Sequence, residues 1–493
     1  MPERPFTRQQ SYLLPPSYEE LVAADHPVRY VAAFVEALEP QVWEKLGVGP
    51  AQALGSPRYA PKLLVSVWVA GFMFGLRTSR GVERACHESL PFRWLSAGQS
   101  PDHNTLWRFF AEHRDQMEEL LDQTVQTAAH AGLVDLAFQA VDGSKVLANV
   151  SKDGTLTIAQ LGELHERTLL AIADLEAQHV GEDDPPPPGL PAELQHVKAL
   201  QERVASALAR VQDAPADTKI TLGDPDARYM QTRQGTAPAY NAQAVVVALD
   251  PEQAGRRGRL ILAAKVSTDA SDNALLASMI EAAQIDGQPV PLTVADGGYY
   301  SGSSLQQCAD AGYQVVVPTS HPKQAKDNPY SKEHFHYDDQ HNIYTCPQGQ
   351  PLSYRGDKRG RQQVPMAIYR ADSGVCCGCV AAAQCNGNRR QGKSIERGPY
   401  EQTLQTHRQQ MASEEARQLG RARKTLIEPV FGIIKERQGG RRTLVRGLAK
   451  VNAEWTMQAV AFNLNTLARV WAGQLAAGAA NTGTTGWTAQ RAA

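Results

Sequence analysis

The sequence has no long apolar run. The longest, from Leu63 to Leu76, extends over about a dozen residues, whereas a helix that crosses a bilayer needs about 20. The first residues, MPERPFTRQQ, carry charges and prolines but no apolar core, so we expect no signal peptide. Both absences argue against a membrane protein and favour a cytoplasmic one.

Cysteines are few, and their number is odd. The chain of 493 residues has seven, of which five lie between Cys346 and Cys385. Such a set does not resemble a disulfide scaffold, and we expect reduced thiols. Four of them have the number and spacing of a tetrahedral structural zinc site, with free buried thiols as the alternative. The four are Cys346, Cys376, Cys379 and Cys385. Cys377 is an alternative to Cys376 as a zinc ligand.

Net charge is close to zero, but the charges are unevenly distributed. The chain carries 50 Lys and Arg against 52 Asp and Glu, which by itself argues against nucleic-acid binding. From Arg417 to Lys450, however, ten Lys or Arg stand against two acids. This density favours a polyanionic partner. The side chains expected to contact phosphate groups are Lys424, Lys435, Arg437, Arg441, Arg442, Arg446 and Lys450.

Glu428 is one of the two acids in this segment, at the start of an apolar helical face. Lys435 follows seven residues later, two helical turns on and therefore on the same side as Glu428. The neighbouring face, predicted to be buried, carries Ile427, Phe431 and Ile434. A carboxylate that projects from a packed helix into a cationic field suits a metal ligand beside a bound polyanion.

A structural interpretation of Glu428 is also open. Thr425 and Glu428 fit the capping box, in which a glutamate at the third helical position bonds back to the cap residue, and Pro429 fits a first helical turn. The interpretation as a metal ligand needs further carboxylates elsewhere. Asp142 and Asp296 meet this need, because each ends an apolar strand pattern and precedes glycine.

Carboxylates at strand ends project from a rigid sheet edge. Two or three of them can hold a pair of Mg²⁺ ions, which prefer oxygen ligands, and two metals about 4 Å apart can activate a water or a 3′-hydroxyl against a phosphodiester. The alternative for each aspartate is a turn, since Asp before Gly is a common turn former. Asp224 and Asp226, in DPDAR, either form a turn or line the site, and we favour a supporting or substrate-positioning role.

Helical periodicity predominates from residue 15 to residue 133. Helix starts are predicted at Pro27, at Pro61 and at Ser100-Pro101-Asp102. Two uses of this region remain open, a helix-turn-helix-like DNA reader and a bundle for dimerisation. The polar residues that a DNA reader would present on its last helix are Asn104, Thr105, Arg108 and Arg114.

Strand patterns alternate with helical ones over residues 134–472. They end at Asp142 and Asp296 and also cover Tyr240 to Leu249 and Leu260 to Val266. This alternation predicts a mixed α/β domain preceded by the helical one.

Two insertions and a tail complete the predicted organisation. Residues 155–215 predict a helical hairpin, interrupted by a stiff GEDDPPPPGLP connector. The cysteine-rich segment, 325–400, is the second insertion. The Ala-, Gly- and Thr-rich tail, 473–493, is expected to be disordered.

Further motifs accompany the three acids. They are VDGSKV around Asp142, DPDARYM from Asp224, YNAQAVV from Tyr240, VADGGYYS around Asp296 and PVFGIIKERQGGRRTLVRGL after Glu428. In this order the chain resembles the DDE transposases of bacterial insertion sequences over nearly its whole length. In one large group of these, the glutamate is followed by six residues and a Lys, as Glu428 is by Lys435. A basic residue four before the glutamate is Lys424 here in place of Arg, and Arg421 stands where the group has Tyr.

The resemblance implies a ribonuclease H-like mixed sheet flanked by helices, an all-α N-terminal domain like that of InsH-type transposases, and a small zinc-ribbon-like insertion. It implies that Asp142, Asp296 and Glu428 form the catalytic, metal-binding triad and that Lys435 contacts phosphate near the cut. The implied cofactors are two Mg²⁺ (or Mn²⁺) ions, with structural Zn²⁺ at the cysteines. The implied partners are double-stranded DNA, both element ends and target, and further copies of the chain. The resemblance also implies a bacterial protein that is associated with the nucleoid and has no contact with a membrane.

The implied activity is hydrolysis of the 3′ ends of an insertion sequence and their joining to target DNA. Two alternatives share the fold: a catalytically inactive DNA-binding descendant, and a nuclease without strand transfer. A purely structural zinc-bundle protein is a third, and it predicts no DNA affinity.

Overall fold

The chain forms two compact units. The first comprises Met1–Ala270, Met279–Pro291 and Lys424–Ala493, and the second comprises Ser271–Ser278 and Leu292–Arg423. The computed structural model describes residues 17–48, 58–151, 154–179, 192–211, 217–319, 328–360, 364–386 and 391–480. None of the helices in these ranges is long and apolar enough to cross a membrane.

The N-terminal part of the first unit is helical, as the sequence predicts. Its helices are α1 (Tyr18–Leu21), α2 (Pro27–Glu36), α3 (Pro40–Lys45), α4 (Pro61–Met73), α5 (Ser79–Glu88), α6 (Leu90–Leu95), α7 (His103–His113) and α8 (Glu118–His130). Helices α2 and α4 begin at the predicted prolines, whose fixed backbone angle suits a first turn. Helix α4 contains most of the apolar run and is buried on all sides, so this run forms core.

Strand β1 (Val134–Leu147) is followed by an inserted helical hairpin. Strands β2 (Thr155–Thr157) and β3 (Lys219–Thr221) pair at its base, and between them lie helices α9 (Ile158–His179) and α10 (Ala192–Ala209). The two helices pack through buried apolar side chains such as Leu161 and Val204. The GEDDPPPPGLP connector lies outside the described residues.

A long central strand organises the sheet of the first unit. The strands after the hairpin are β4 (Arg228–Thr232), β5 (Gly235–Leu249) and, after the short helix α11 (Pro251–Ala254), β6 (Arg259–Ser267). Strand β5 is antiparallel to β1 along one edge and to β4 and then β6 along the other. Nearly all of its side chains are buried, as expected for a strand that is covered on both faces.

The second unit contains a pair of parallel strands. Helix α12 (Leu276–Glu281) precedes β7 (Leu292–Val294), and helix α13 (Gly302–Asp310) connects β7 to its parallel partner β8 (Gln314–Val316). Parallel pairing with a helical crossover is the pattern expected of an α/β protein.

The cysteine-rich segment forms an antiparallel sheet of its own. Its strands are β9 (His336–Asp338), β10 (Ile343–Thr345), β11 (Pro351–Arg359), β12 (Pro365–Ala371) and β13 (Ser394–Arg397), with helices α14 (Ser373–Cys377) and α15 (Ala382–Cys385) before β13. The strands are arranged in the order β13-β12-β11-β10-β9. Buried Phe335, Tyr344, Leu352 and Tyr369 form a small core within it.

The described chain ends in three helices, α16 (Glu401–Met411), α17 (Glu414–Glu436) and α18 (Leu448–Ala480). The expectation of a disordered tail from Gly473 onward is wrong for its first residues, since α18 continues to Ala480. Gln, Leu and Ala favour helix, and the single Gly473 is too weak a breaker to end so long an element. Residues 481–493 lie outside the described part of the chain.

Helix α18 is fixed to strand β6 by a buried asparagine. The side chain of Asn463 accepts from the backbone N–H of Ile261 at 2.8 Å and donates to its carbonyl at 2.8 Å. The β5–β6 pairing shifts register next to Ile261, because Val245 pairs with Ala263 and Val246 with Ile261. A bulge leaves backbone groups outside the strand ladder, and Asn463 satisfies them.

Candidate active site

Asp142 lies within strand β1, opposite Ala244 of β5. The prediction that the strand ends at Asp142 is wrong, because Gly143 and the residues after it pair with β5 as far as Leu147. A single glycine weakens a strand but does not end it when the partner strand continues. The carboxylate is half-buried, and one of its oxygens accepts from the N–H of Gly143 at 2.8 Å.

Glu428 lies in the interior of helix α17. The capping-box alternative is wrong, because α17 begins at Glu414 and Thr425 is therefore not at a helix start. Pro429 also lies inside the helix and cannot donate to the Thr425 carbonyl. Arg259 donates to this carbonyl instead, at 2.8 Å. The Glu428 side chain is exposed and makes no hydrogen bond or ion pair within the described residues.

Lys435 connects helix α17 to strand β1. Its ammonium donates to the Ser144 hydroxyl at 2.5 Å and to the Lys145 carbonyl at 3.3 Å. Ser144 and Asp142 lie on the same face of β1, about 7 Å apart, since alternate residues of a strand share a face. Burial lowers the pKa of Lys435, nearby arginines lower it further, and Asp142 opposes the shift. The helix face that carries Glu428 and Lys435 is therefore turned towards Asp142.

A second contact fixes the relative direction of helix and strand. The N–H of Leu147 donates to the carbonyl of Arg441 at 3.1 Å, beyond the end of α17. Strand β1, followed back from Leu147 to Asp142, therefore runs in the same direction as the chain followed back from Arg441 to Glu428. Glu428 lies about 10 Å before the lysine along the helix axis. Both carboxylates lie on the same side of the lysine–serine contact.

Asp296 belongs to the second unit, two residues beyond strand β7. One carboxylate oxygen accepts from the N–H of Gly298 at 2.7 Å. A Cβ atom at Gly298 would lie 2.8 Å from that oxygen and 3.3 Å from a carboxylate oxygen of Asp272, so a side chain here would displace the Asp296 carboxylate. Asp272 is therefore a second acid beside Asp296. Its position before a helical pattern is typical of a cap residue, and nothing in the sequence indicated that it lies beside Asp296.

The three predicted metal ligands are not part of a metal-binding group within the described residues. Within the described residues, no three or more His, Cys, Asp or Glu side chains lie close enough together to hold a metal ion. Asp142 and Glu428 belong to the first unit, and Asp296 belongs to the second. All three offer the oxygen ligands that Mg²⁺ prefers, so their chemistry fits the ion. The triad stays a prediction.

The basic residues after α17 divide by what their side chains contact. Arg442 donates to the carbonyls of Ala148 and Val150, at 3.1 and 3.4 Å, and Arg446 donates to the carbonyl of Asn149 at 2.8 Å. These two guanidinium groups fix the loop after α17 to the end of β1. Three other side chains predicted to contact phosphate have different surroundings. Arg441 pairs with Glu436, whereas Arg437 and Lys424 are exposed and have no side-chain partner in the described chain.

The same loop is held from the N-terminal helices by a buried ion pair. Arg77 pairs with Glu454 at 2.7 Å, and the side chains are 8% and 6% exposed. Arg77 also donates to the carbonyls of Gly439 and Arg442, while Glu454 accepts from the N–H of Leu444. Burial lowers the pKa of Arg77 and raises that of Glu454, which is the cost of taking both charges out of water.

The DPDAR aspartates hold the start of helix α18. Asp224 is fully buried and accepts from the Tyr240 hydroxyl at 2.7 Å and from the N–H of Gly447 at 3.0 Å. Asp226 accepts from the N–H of Leu448 at 2.8 Å. Acids at a helix N-terminus satisfy its unpaired N–H groups. Their contacts are therefore those of a helix cap, and a role in positioning substrate stays a prediction.

The four predicted zinc ligands line one cavity of about 30 Å³ in the second unit. Burial raises the pKa of Cys385, with the other three thiols adding to the shift and Lys393 opposing it. Cys377 is exposed and does not line the cavity. The described residues nonetheless contain no group of side chains close enough to hold a metal. Zinc therefore stays a prediction.

Helix α7 exposes part of the face that a DNA reader would use. Asn104 and Arg108 are exposed, whereas the Thr105 hydroxyl donates to Asp102 at 2.7 Å. Asp102 caps the helix by accepting from the N–H of Asn104 and of Thr105. Arg114 lies after the helix, in a short 3₁₀ turn, and is only half-exposed. This arrangement alone favours neither DNA reading nor dimerisation as the role of the N-terminal helices.

Two family models match the chain. The model described as a transposase DDE domain matches residues 345–468, a span that contains Glu428, Lys435 and the basic loop. The model described as a transposase domain (DUF772) matches residues 16–112, in the N-terminal helices. No curated protein matches the chain.

The two matches agree with each other, since both describe domains of transposases and they fall in order along one chain. Asp142 and Asp296 lie outside the matched spans, so their predicted roles rest on the sequence motifs. The two matched domains therefore support a DDE transposase of insertion-sequence type.

Proposed function

We propose that this transposase binds the terminal inverted repeats of its own insertion sequence, hydrolyses their 3′ ends and joins them to target DNA. Asp142, Asp296 and Glu428 act as the catalytic carboxylates. The two DNA ends must be held together during joining, so the active form is a dimer or a larger assembly on DNA.

The proposal rests on one observation above the others, the arrangement of Glu428, Lys435 and Asp142. Glu428 is an exposed acid without a local partner, on the helix face that Lys435 fixes to strand β1 beside Asp142. Its side chain is therefore free to bind a ligand without first breaking a contact within the described chain. An acid left open beside a second carboxylate and a cation suits a site that receives a metal ion and a phosphate.

Each residue has its own part in the chemistry. When bound, Mg²⁺ (or Mn²⁺) lowers the pKa of water and stabilises the charge on the leaving oxygen. Asp142, Asp296 and Glu428 hold the divalent ions through their oxygens. Lys435, positioned by Ser144, binds a phosphate oxygen of the strand to be cut. The attacking water, and later the freed 3′-hydroxyl, displaces the 3′ oxygen in line, with no covalent intermediate on the protein.

Cleavage of end-labelled DNA that carries the element's terminal repeats tests the proposal, with Mg²⁺ and the variant Glu428→Gln. We expect the wild type to cut at the 3′ ends and the variant to lose at least a hundredfold in rate, because a ligand of the metal site has been neutralised. Glu436→Gln is the matched control, since Glu436 lies on the same helix but pairs with Arg441.

Three outcomes would contradict parts of the proposal. Equal cutting by wild type and Glu428→Gln would remove Glu428 from the active site. Binding of the repeats without cutting would indicate an inactive descendant. Cutting without joined products would indicate a nuclease of the same fold.

The cysteine cavity is assessed separately, by the metal content of the purified protein. One zinc per chain, lost in Cys379→Ser together with stability of the β9–β13 sheet, would support a structural site. Zinc-free protein with four reactive thiols would leave the cysteines as packing residues.

A further inference from the structure

A second cationic site lies in the first unit, away from the face of α17 that carries Glu428 and Lys435. Five arginines line a cavity of about 250 Å³ between the β5–β6 connection, helix α17 and helix α18. They are Arg256, Arg257, Arg259, Arg437 and Arg469. The other lining residues are apolar, amide, hydroxyl or glycine, and no carboxylate is among them.

The charges of these arginines are not compensated by protein groups. Within the described residues, the side chains of Arg256, Arg257, Arg437 and Arg469 make no hydrogen bond or ion pair. Arg259 donates one bond to the Thr425 carbonyl, and its Nε is buried without a partner. Arg259 is half-buried and the other four arginines are exposed. Five like charges around one cavity repel each other, and an anion bound there relieves this repulsion.

The electrostatics of Arg469 agree with this description. Burial lowers the pKa of its guanidinium, and Arg256 and Arg437 lower it further. No carboxylate opposes the shift, in contrast to Arg77, whose pKa is supported by Glu454. The positive potential of the cavity is therefore available to a ligand.

The cavity lies on the opposite face of α17 from the predicted catalytic residues. Ile433 and Arg437, which line it, are about 140° and about 180° around the helix from Glu428, whereas Lys435 is within about 20° of Glu428. Along β5, the connection that carries Arg256 begins about 17 Å beyond Ala244, the partner of Asp142. The two sites are thus separated by the thickness of a helix, about 10 Å.

The lining suits a phosphodiester. Guanidinium groups bind phosphate oxygens in pairs of parallel hydrogen bonds, and several of them can surround one phosphate. Asn465 and Thr466 add neutral donors, while Met73 and Phe462 offer apolar surface to a sugar. The cavity is several times the volume that one water occupies in the liquid, about 30 Å³, and so has room for a phosphate with part of its sugar.

We propose that this arginine pocket binds the backbone phosphates of a second DNA segment, distinct from the strand that lies against the catalytic face of α17. The bound segment is either target DNA or the part of the insertion sequence that lies inward of its end. The inference rests on the proposed function for the identity of the ligand as DNA, but its geometry does not depend on the triad.

The test is the salt dependence of binding to a short, non-specific duplex, measured by fluorescence anisotropy without divalent metal. Arg256→Gln/Arg469→Gln removes two pocket charges and should weaken binding roughly tenfold at low salt and reduce the slope of log K against log salt by about two. Arg355→Gln/Arg370→Gln is the control, since it removes two exposed arginines from the cysteine-rich sheet. Arg256→Lys/Arg469→Lys keeps the charge and should recover most of the slope.

Each result decides the inference. A slope that falls no more in the pocket variant than in the control overturns it. A slope that falls equally in the Lys and Gln variants indicates damage to folding and also overturns it. If pyrophosphate raises the melting temperature of the wild type while duplex binding is unaffected by the pocket variant, the ligand is a small anion and not DNA. Cleavage of terminal repeats by the wild type is measured separately, so failure of the proposed function does not determine this result.

Discussion

Two sets of arginines lie within the first unit, and they differ in what surrounds them. Arg77, Arg442 and Arg446 donate to backbone carbonyls, and Arg77 also pairs with a buried glutamate. The arginines of the pocket, such as Arg256 and Arg469, have no carboxylate beside them and almost no carbonyl. The first set holds the protein together, and the second is left for a ligand.

The comparison shows why a dense basic segment should not be equated with a DNA-binding surface. Arg437 and Arg442 are five residues apart in the same segment. One lines the open pocket, and the other is bound to the end of β1. The difference arises from the supply of unpaired backbone carbonyls. They are available beyond the end of β1, whereas helix α17 offers the pocket arginines only the Thr425 carbonyl, which Pro429 leaves without its helical partner.

The largest effect is expected at the buried ion pair. Arg77→Met should lower the free energy of unfolding by about 3–5 kcal/mol at neutral pH, because it leaves Glu454 charged and unpaired. Urea unfolding measures this. Burial raises the pKa of Glu454, so the loss should shrink as the pH falls through that raised pKa and the carboxyl becomes neutral. A loss below 1 kcal/mol would place Arg77 with the pocket arginines.

A smaller loss of stability is expected at Arg442. Arg442→Gln removes two charge-assisted hydrogen bonds to carbonyls at the end of β1 and should cost about 1–2 kcal/mol, since the side chain is partly exposed to water. DNA affinity, corrected for the unfolded fraction, should change less than in the pocket variant. If Arg442→Gln kept full stability but reduced the salt slope of DNA binding, Arg442 would belong with the pocket arginines and the two sets would not be distinct.

Lys435 combines both kinds of contact and gives a pH-dependent signal. Because its pKa is lowered by burial and by nearby arginines, the ammonium loses its proton at a lower pH than a free lysine. Cleavage that needs the charged form should fall as the pH rises through a value below 10.5, the ordinary pKa. Lys435→Arg should extend activity to higher pH. The same alkaline limit in both proteins would show that Lys435 does not set it.

The smallest effect is expected at Lys424, which is exposed and has no partner in the described chain. Lys424→Gln should leave stability within about 0.5 kcal/mol of wild type and reduce the salt slope of DNA binding by about one. Anisotropy and urea unfolding measured together test this. An unchanged slope would remove Lys424 from the DNA contacts.

Much of the fold follows from local patterns in the sequence. The starts of α2 and α4 at Pro27 and Pro61, the inserted hairpin and strands β5 and β6 are predicted by periodicity and by proline, whereas the short strands β2, β3 and β4 are not. The face that Lys435 shares with Glu428 follows from helical spacing alone. These features depend on residues close together in the chain, where the sequence is most informative.

The failures share a physical cause, which is that pairing and packing over long distances override local signals. Asp142 does not end its strand, because β5 supplies partners beyond Gly143. Helix α17 begins well before Thr425, although Pro429 marks a helix start in isolation. The arginine pocket was not predicted at all, since Arg256 and Arg469 are far apart in sequence and neither belongs to a motif.

Pro429 has a consequence for how this protein would respond in a genetic screen. Pro429 leaves the carbonyl of Thr425, one helical turn earlier, without its usual donor, and this carbonyl is bound by Arg259, a residue 166 positions earlier in the chain. Loss of Arg259 would disturb the turn that carries Glu428. A screen scored by transposition would then rank Arg259 among the catalytic residues, although it lines the pocket on the other side of the helix and touches no reacting atom.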